Sequence, residues 1–176
     1  MQLTQNRVAS SRILMLGVLL VALLAASLLL AAKPSHASTT FIVNSTDDHS
    51  DALLTGDRCD TGYTVPGTGG EPENECTLRA AIEQANYTPG ADTINFAIPG
   101  TGVKTISPAS QLPTITGPVT INGYSQPGAQ PNQKAVGTDA VLKIELSGAE
   151  EQFNVDGLVV DAANSTVKGL VINDFG

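Results

Sequence analysis

The chain has 176 residues, enough for one domain, and carries 9 basic against 17 acidic side chains, a net of −8. Without Arg7, Arg12 and Lys33 in the N-terminal stretch, 6 bases face 17 acids, a net of −11. Such a surface repels nucleic acid and anionic membrane and suits a solvated extracellular protein.

Arg7 and Arg12 precede an uninterrupted 20-residue apolar run, Ile13 to Ala32, which Lys33-Pro34 breaks. Ser35-His36-Ala37 then offers small residues where a signal peptidase reads, so residues 1–37 are expected to be a signal peptide cleaved after Ala37. The run is also long enough to span a bilayer, which leaves an uncleaved anchor as the alternative and the only expected membrane contact. Either way the remainder is expected to be secreted or at the cell surface.

Residues 38–92 form an N-terminal region in this reading. Thr39 to Asn44 is β-rich and predicts a strand. The acidic segment after it makes Asp47, Asp48 and Asp51 weak candidates for a Ca²⁺ site, although the spacing is not that of an EF-hand and a solvated loop is the plainer reading. Cys59 and Cys76 are the only cysteines, and in an exported chain they predict a disulfide. The bridge would close a Gly-, Pro- and Thr-rich loop of 16 intervening residues and pin it to the start of a helix.

That helix is the clearest local signal after the leader. Leu78, Ala81, Ile82 and Ala85 fall at i, i+3, i+4 and i+7, with Thr77 where an N-cap oxygen is wanted and Pro89-Gly90 as the stop. Glu71, Glu73 and Glu75 would suit the positive end of its dipole. So short a helix needs its apolar face buried.

From residue 93 to 176 the period changes to two. Ile94, Val119, Ile144 and Leu170 open strand-like segments at intervals of 25, 25 and 26 residues. The linkers hold further strand-like pieces (103–107, 111–116, 158–161), prolines and glycines, but no helical pattern. A βαβ sheet would need crossover helices and a propeller blade a longer repeat. The expectation is therefore all-β: a right-handed parallel β-helix of roughly four turns, capped by the helix, its C-terminal end left open and incomplete. Ile94, Phe96, Val119, Ile121, Ile144, Leu146, Leu170 and Ile172 would fill one bore, Thr120, Glu145 and Val171 would face out, and Asn122, Ser147 and Asn173 would stack at a bend. An antiparallel sandwich is the rival fold.

Cys76-Thr77-Leu78-Arg79-Ala80-Ala81-Ile82 resembles the Cys-Ser-Leu-Arg-Glu-Ala-Ile signature of CSLREA-type domains. The resemblance extends through Gln84-Ala85-Asn86, Gly90-Ala91-Asp92-Thr93-Ile94, Leu112 to Ile115, Val119 to Gly128 and Gly169 to Ile172. Thr77 for Ser is a mild departure; Ala80 for Glu removes a polar side chain. The resemblance implies a cap opening a right-handed parallel β-helix of the pectate-lyase-like type in an exported bacterial protein, and no defined activity.

Two functions compete. One is a non-catalytic module of an adhesin-like or matrix- and polysaccharide-binding surface protein, extended by further chain or a partner at the open end. The other is the N-terminal part of a polysaccharide lyase or glycoside hydrolase whose active site lies beyond residue 176. The first is preferred, with no catalytic residues and no cofactor, calcium excepted. The strands offer only Glu145 outward, with Lys143 on the same side; Asp156, Asp161 and Asp174 are scattered, and paired carboxylates are not evident. Trp is absent, only Tyr63, Tyr87 and Tyr124 could stack on sugar, and His49 alone could serve a nucleophile.

Overall fold

The computed structural model describes residues 37–67, 69–148 and 155–176. The apolar leader therefore lies outside the described residues, as do Ser35 and His36 of the segment on which its cleavage depends. Among the described residues no helix is long and apolar enough to cross a membrane.

The described residues are rich in short strands and hold one α-helix. In chain order they are β1 (Thr40–Val43), β2 (Thr64–Pro66), β3 (Pro72–Asn74), α1 (Leu78–Tyr87), β4 (Asp92–Phe96), β5 (Lys104–Ile106), β6 (Val119–Asn122), β7 (Ile144–Ser147), β8 (Thr166–Lys168) and β9 (Leu170–Asn173). A 3₁₀ turn, Gly123–Ser125, follows β6. Two small parallel sheets result, in the orders β1-β4-β6-β8 and β5-β7-β9, and β2 with β3 makes an antiparallel hairpin.

The alternation of apolar and polar residues sets which face of each strand is buried. Register then builds columns. Phe41, Ile94, Ile121 and Val167 align across the first sheet. Ile106, Leu146 and Ile172 align across the second, as do Lys104, Ile144 and Leu170. A single parallel bridge joins Ile115 to Val160. Phe41, Ile94, Phe96, Ile106, Ile115, Ile121, Ile144 and Leu146 are buried in one core with the apolar face of α1.

This corrects the expected single column. Ile94 faces Ile121, Val119 faces Asp92, and Ile144 and Leu170 belong to the other sheet. Equal spacing could not distinguish the sheets, because a strand with one buried face carries the same apolar-x-apolar pattern in either. The sheet also starts earlier than expected: β1 pairs with β4 in parallel, so the strand before the helix belongs with those after it. Ile172, placed inside by the pattern, is 45% exposed, and Leu170 is half-buried. The piece at 111–116 forms only the bridge at Ile115, while β8 and the β2–β3 hairpin were not anticipated.

Glycine permits the corner between β8 and β9. Gly169 has φ +74°, and a Cβ there would meet the Tyr124 backbone nitrogen at 2.6 Å. Its neighbour in the stack, Gly123, would place a Cβ 2.1 Å from the Gly169 carbonyl oxygen, so the two corners approach backbone to backbone. The adjoining Ser125 and Gln126 brace β4. The Phe96 N–H donates to Ser125 Oγ at 2.6 Å, and the buried Gln126 amide exchanges two hydrogen bonds with the Ile98 backbone, at 2.8 and 2.9 Å.

Candidate functional site

The helix cap and the loop around it concentrate the polar chemistry. Thr77 caps α1: its Oγ1 accepts the Ala80 N–H at 3.0 Å and donates to the His49 carbonyl at 2.6 Å. Leu78, Ala81, Ile82 and Ala85 are buried as their spacing predicts. So are Arg79 and Gln84, because residues 45–59 wrap the other side of the helix. Gln84 Nε2 donates to the Gly56 carbonyl at 2.7 Å, and the Asp51 N–H donates to Glu83 at 2.7 Å. The Cys59–Cys76 disulfide, Cα–Cα 5.3 Å, ties the wrap to the residue before the cap.

Arg79 is the hub of this wrap. Nε and Nη2 donate to both Asp48 oxygens at 3.0 and 2.8 Å, in the forked geometry guanidinium favours. Nη2 also donates to the Ser110 carbonyl at 2.8 Å, and Nη1 to the Gln111 carbonyl at 3.1 Å. The cation thus joins the helix, the 45–51 loop and the 108–111 loop. Nothing in the hydrophobic periodicity marked Arg79 for this role; its position beside the apolar stripe is the only local hint.

The calcium candidates are not brought together. Asp48 is held by Arg79 and by the Ala109 N–H at 2.9 Å. Asp51 accepts the Leu53 and Asp60 N–H groups and so shapes its own turn. Both carboxylates satisfy protein donors, which is the physical reason the three acids do not form a common cage. Asp47 instead lies with His49 and Glu75, one ligand-type atom from each within 4.8 Å of the others.

Glu75 anchors this second network. It lies two residues before the Thr77 cap, ahead of a first turn that contains no acid. Its carboxylate is 2% exposed, accepts the Thr61 hydroxyl at 2.6 Å and pairs with His49 Nδ1 at 2.8 Å. Burial pushes its carboxyl up, but hydrogen bonds from Thr61, His49 and Ser45 and the His49 charge outweigh this, holding it below the usual carboxylate range. The His49 ring stacks on Tyr63 with centroids 4.3 Å apart, leaving Tyr63 58% exposed. A cleft of about 380 Å³ lies between β1 and this loop; Ile42, Arg58, Glu73 and Asn74 are among its lining residues.

On the second sheet, Glu145 is the outward acid that the strand pattern singled out. It accepts Thr105 Oγ1 at 2.8 Å and Asn173 Nδ2 at 3.1 Å. The Thr105 bond, then the Asn173 bond, holds its carboxyl below the usual range. It therefore bridges β5, β7 and β9. No family model, no curated protein and no solved structure matches the chain.

Proposed function

We propose that the described residues are the capped first rungs of a right-handed parallel β-helix of the pectate-lyase-like type. They serve as a non-catalytic, exported or cell-surface module that holds extracellular polysaccharide or matrix. The observation that carries the architecture is the order of visits: β4 then β5, β6 then β7, β8 then β9, each passage alternating between the two parallel sheets. Each visit lays its strands on those of the visit before, and the Ile115–Val160 bridge supplies a third line of contact. Helix α1 packs against β1 and β4 at one end, where it keeps water from the core.

The opposite end supports a further rung stacking there, from this chain or from a partner. Val167 and Ile172 align with the fully buried Ile121 and Leu146, yet are 39% and 45% exposed. Asn173 Oδ1, on the same edge, is buried without a partner. A strand laid over β8 and β9 would cover both apolar side chains and offer that oxygen a donor. The disulfide supports an oxidising, extracytoplasmic compartment. The module role itself rests on the resemblance and on the acidic, exported character of the chain.

The secreted chain, applied to immobilised pectin, alginate and related acidic and neutral polymers, tests the function. Retention without release of reducing ends or unsaturated products supports the module. Turnover would transfer the protein to the lyase or hydrolase alternative, and passage through every column unretained would remove polysaccharide as the partner.

A further inference from the structure

Asp92 is a buried carboxylate that neither the cap nor the proposed function uses. It opens β4 and is 2% exposed. Its N–H donates to the Pro118 carbonyl at 3.0 Å, on the approach to β6. Its Oδ1 accepts the Thr39 N–H at 2.8 Å, just ahead of β1. The Thr93 N–H returns to the Thr39 carbonyl at 2.8 Å, and the Ala97 N–H bonds the Val43 carbonyl at 2.8 Å at the far end of the same seam. Oδ2 is buried with no hydrogen-bond partner. One oxygen thus stitches the edge strand to its neighbour while the other faces nothing that could balance a charge.

The surroundings supply no counter-ion among the described residues. Residues 37–43, the rest of β4, Pro118 and β6 contain no Lys, Arg, His, Asp or Glu. The 3₁₀ turn packed on β4 carries only the Tyr124 phenol. Helix α1, which also packs on β4, carries Arg79, Glu83 and the exposed phenol of Tyr87. Arg79 is committed to Asp48 and two carbonyls, and Glu83 to the Asp51 N–H. On β8, Lys168 registers with Asn122, the last residue of β6, whereas Asp92 registers with Val119, the first.

We propose that Asp92 is a proton-operated latch on the edge strand β1: its neutral form holds residues 39–43 against β4, and its ionised form loosens that seam and bares the β4 edge. The neutral carboxyl keeps the Thr39 bond through Oδ1 and places no charge in the core. The ionised form buries a charge that one N–H must answer alone. Burial accordingly raises the carboxyl above its ordinary range, against the downward pull of the Thr39 N–H. The sign follows: a group whose folded value is raised gives stability that is complete below the unfolded value and is lost as pH climbs through the folded one. Glu75 has the opposite slope, so its titration cannot imitate the latch.

Hydrogen exchange of the intact chain tests this. From about pH 4 to about pH 7, protection factors at the Thr39, Thr93 and Ala97 amides should fall about tenfold for each unit by which the carboxyl is raised. The Gly148 amide, which bonds the Asn173 carbonyl in the other sheet, should hold its protection. In D92N the seam should show no such fall. Flat or rising protection in the wild type, or the same fall in D92N, overturns the latch. If D92N does not fold, the carbon-13 shift of the wild-type Asp92 carboxyl decides. A midpoint above the ordinary carboxylate value sustains the latch, and one at or below it ends the proposal.

Discussion

Removing the Arg79 side chain tests whether the cap is held by a desolvated charge or by apolar contact alone. In R79A, Asp48 loses both guanidinium bonds, and the Ser110 and Gln111 carbonyls lose their donors. Asp48 keeps the Ala109 N–H and is 15% exposed, against 10% for the Arg79 side chain. Breaking a buried pair by deleting one partner costs about 3–5 kcal/mol, and the residual support of Asp48 places R79A at about 3 kcal/mol. That is a large share of a typical domain's stability of about 5–15 kcal/mol. With a urea slope of about 1–3 kcal/mol per molar, the midpoint should fall by about 1–3 M. The assay is equilibrium unfolding in urea of the oxidised protein. Replacing both partners, as D48L/R79M, should recover much of the loss, since no charge is then stranded. A loss below about 1 kcal/mol in R79A would put the pair with exposed surface bridges and refute the reasoning.

Three further outcomes are expected. Reducing the Cys59–Cys76 bridge, or replacing both cysteines by serine, should cost about 3 kcal/mol for a loop of this size, read as a lower melting temperature with the other conditions held. Glu75, held below the ordinary carboxylate range, gives stability that is present above its unfolded value and is lost as pH falls through the folded one. E75Q should therefore be less stable at neutral pH and show a flatter acid limb by circular dichroism; an unchanged acid limb would contradict the network. Finally, I121A should cost about 2–5 kcal/mol, because Ile121 is fully buried. I172A, at a 45% exposed position, should cost well under half as much. Equal losses in denaturant titrations would show that the β8–β9 end is already covered.

How much was legible can be read from particular residues. The face of α1, its Thr77 cap and the disulfide followed from spacing and residue type, because each depends on neighbours within a few turns or on the only available partner. The buried positions of β4, β6 and β7 followed from alternation, which burial of one face imposes on any strand. The pairing of those strands did not follow. Ile94 could sit beside Val119 or Ile121 with its own alternation unchanged, and only the competing columns of the assembled core select Ile121. The acidic loop is divided for a similar reason. Asp47, Asp48 and Asp51 look alike along the chain, but Arg79 reaches across to one, backbone amides take another, and the third falls beside His49 and Glu75.

The sequence by itself determined an acidic chain rich in strands, one short capped helix with a defined buried face, and the only cysteine pair that could form. Those properties are local: they depend on side-chain type, on period and on residues near one another in the chain. Only the tertiary structure decided that β1 joins the sheet after the helix, that the strands divide between two sheets, and that Arg79, Glu75 and Asp92 are buried with the partners they have. Such outcomes depend on which distant segments meet, and contact across tens of residues is decided by the shape of the whole core rather than by pattern along the chain.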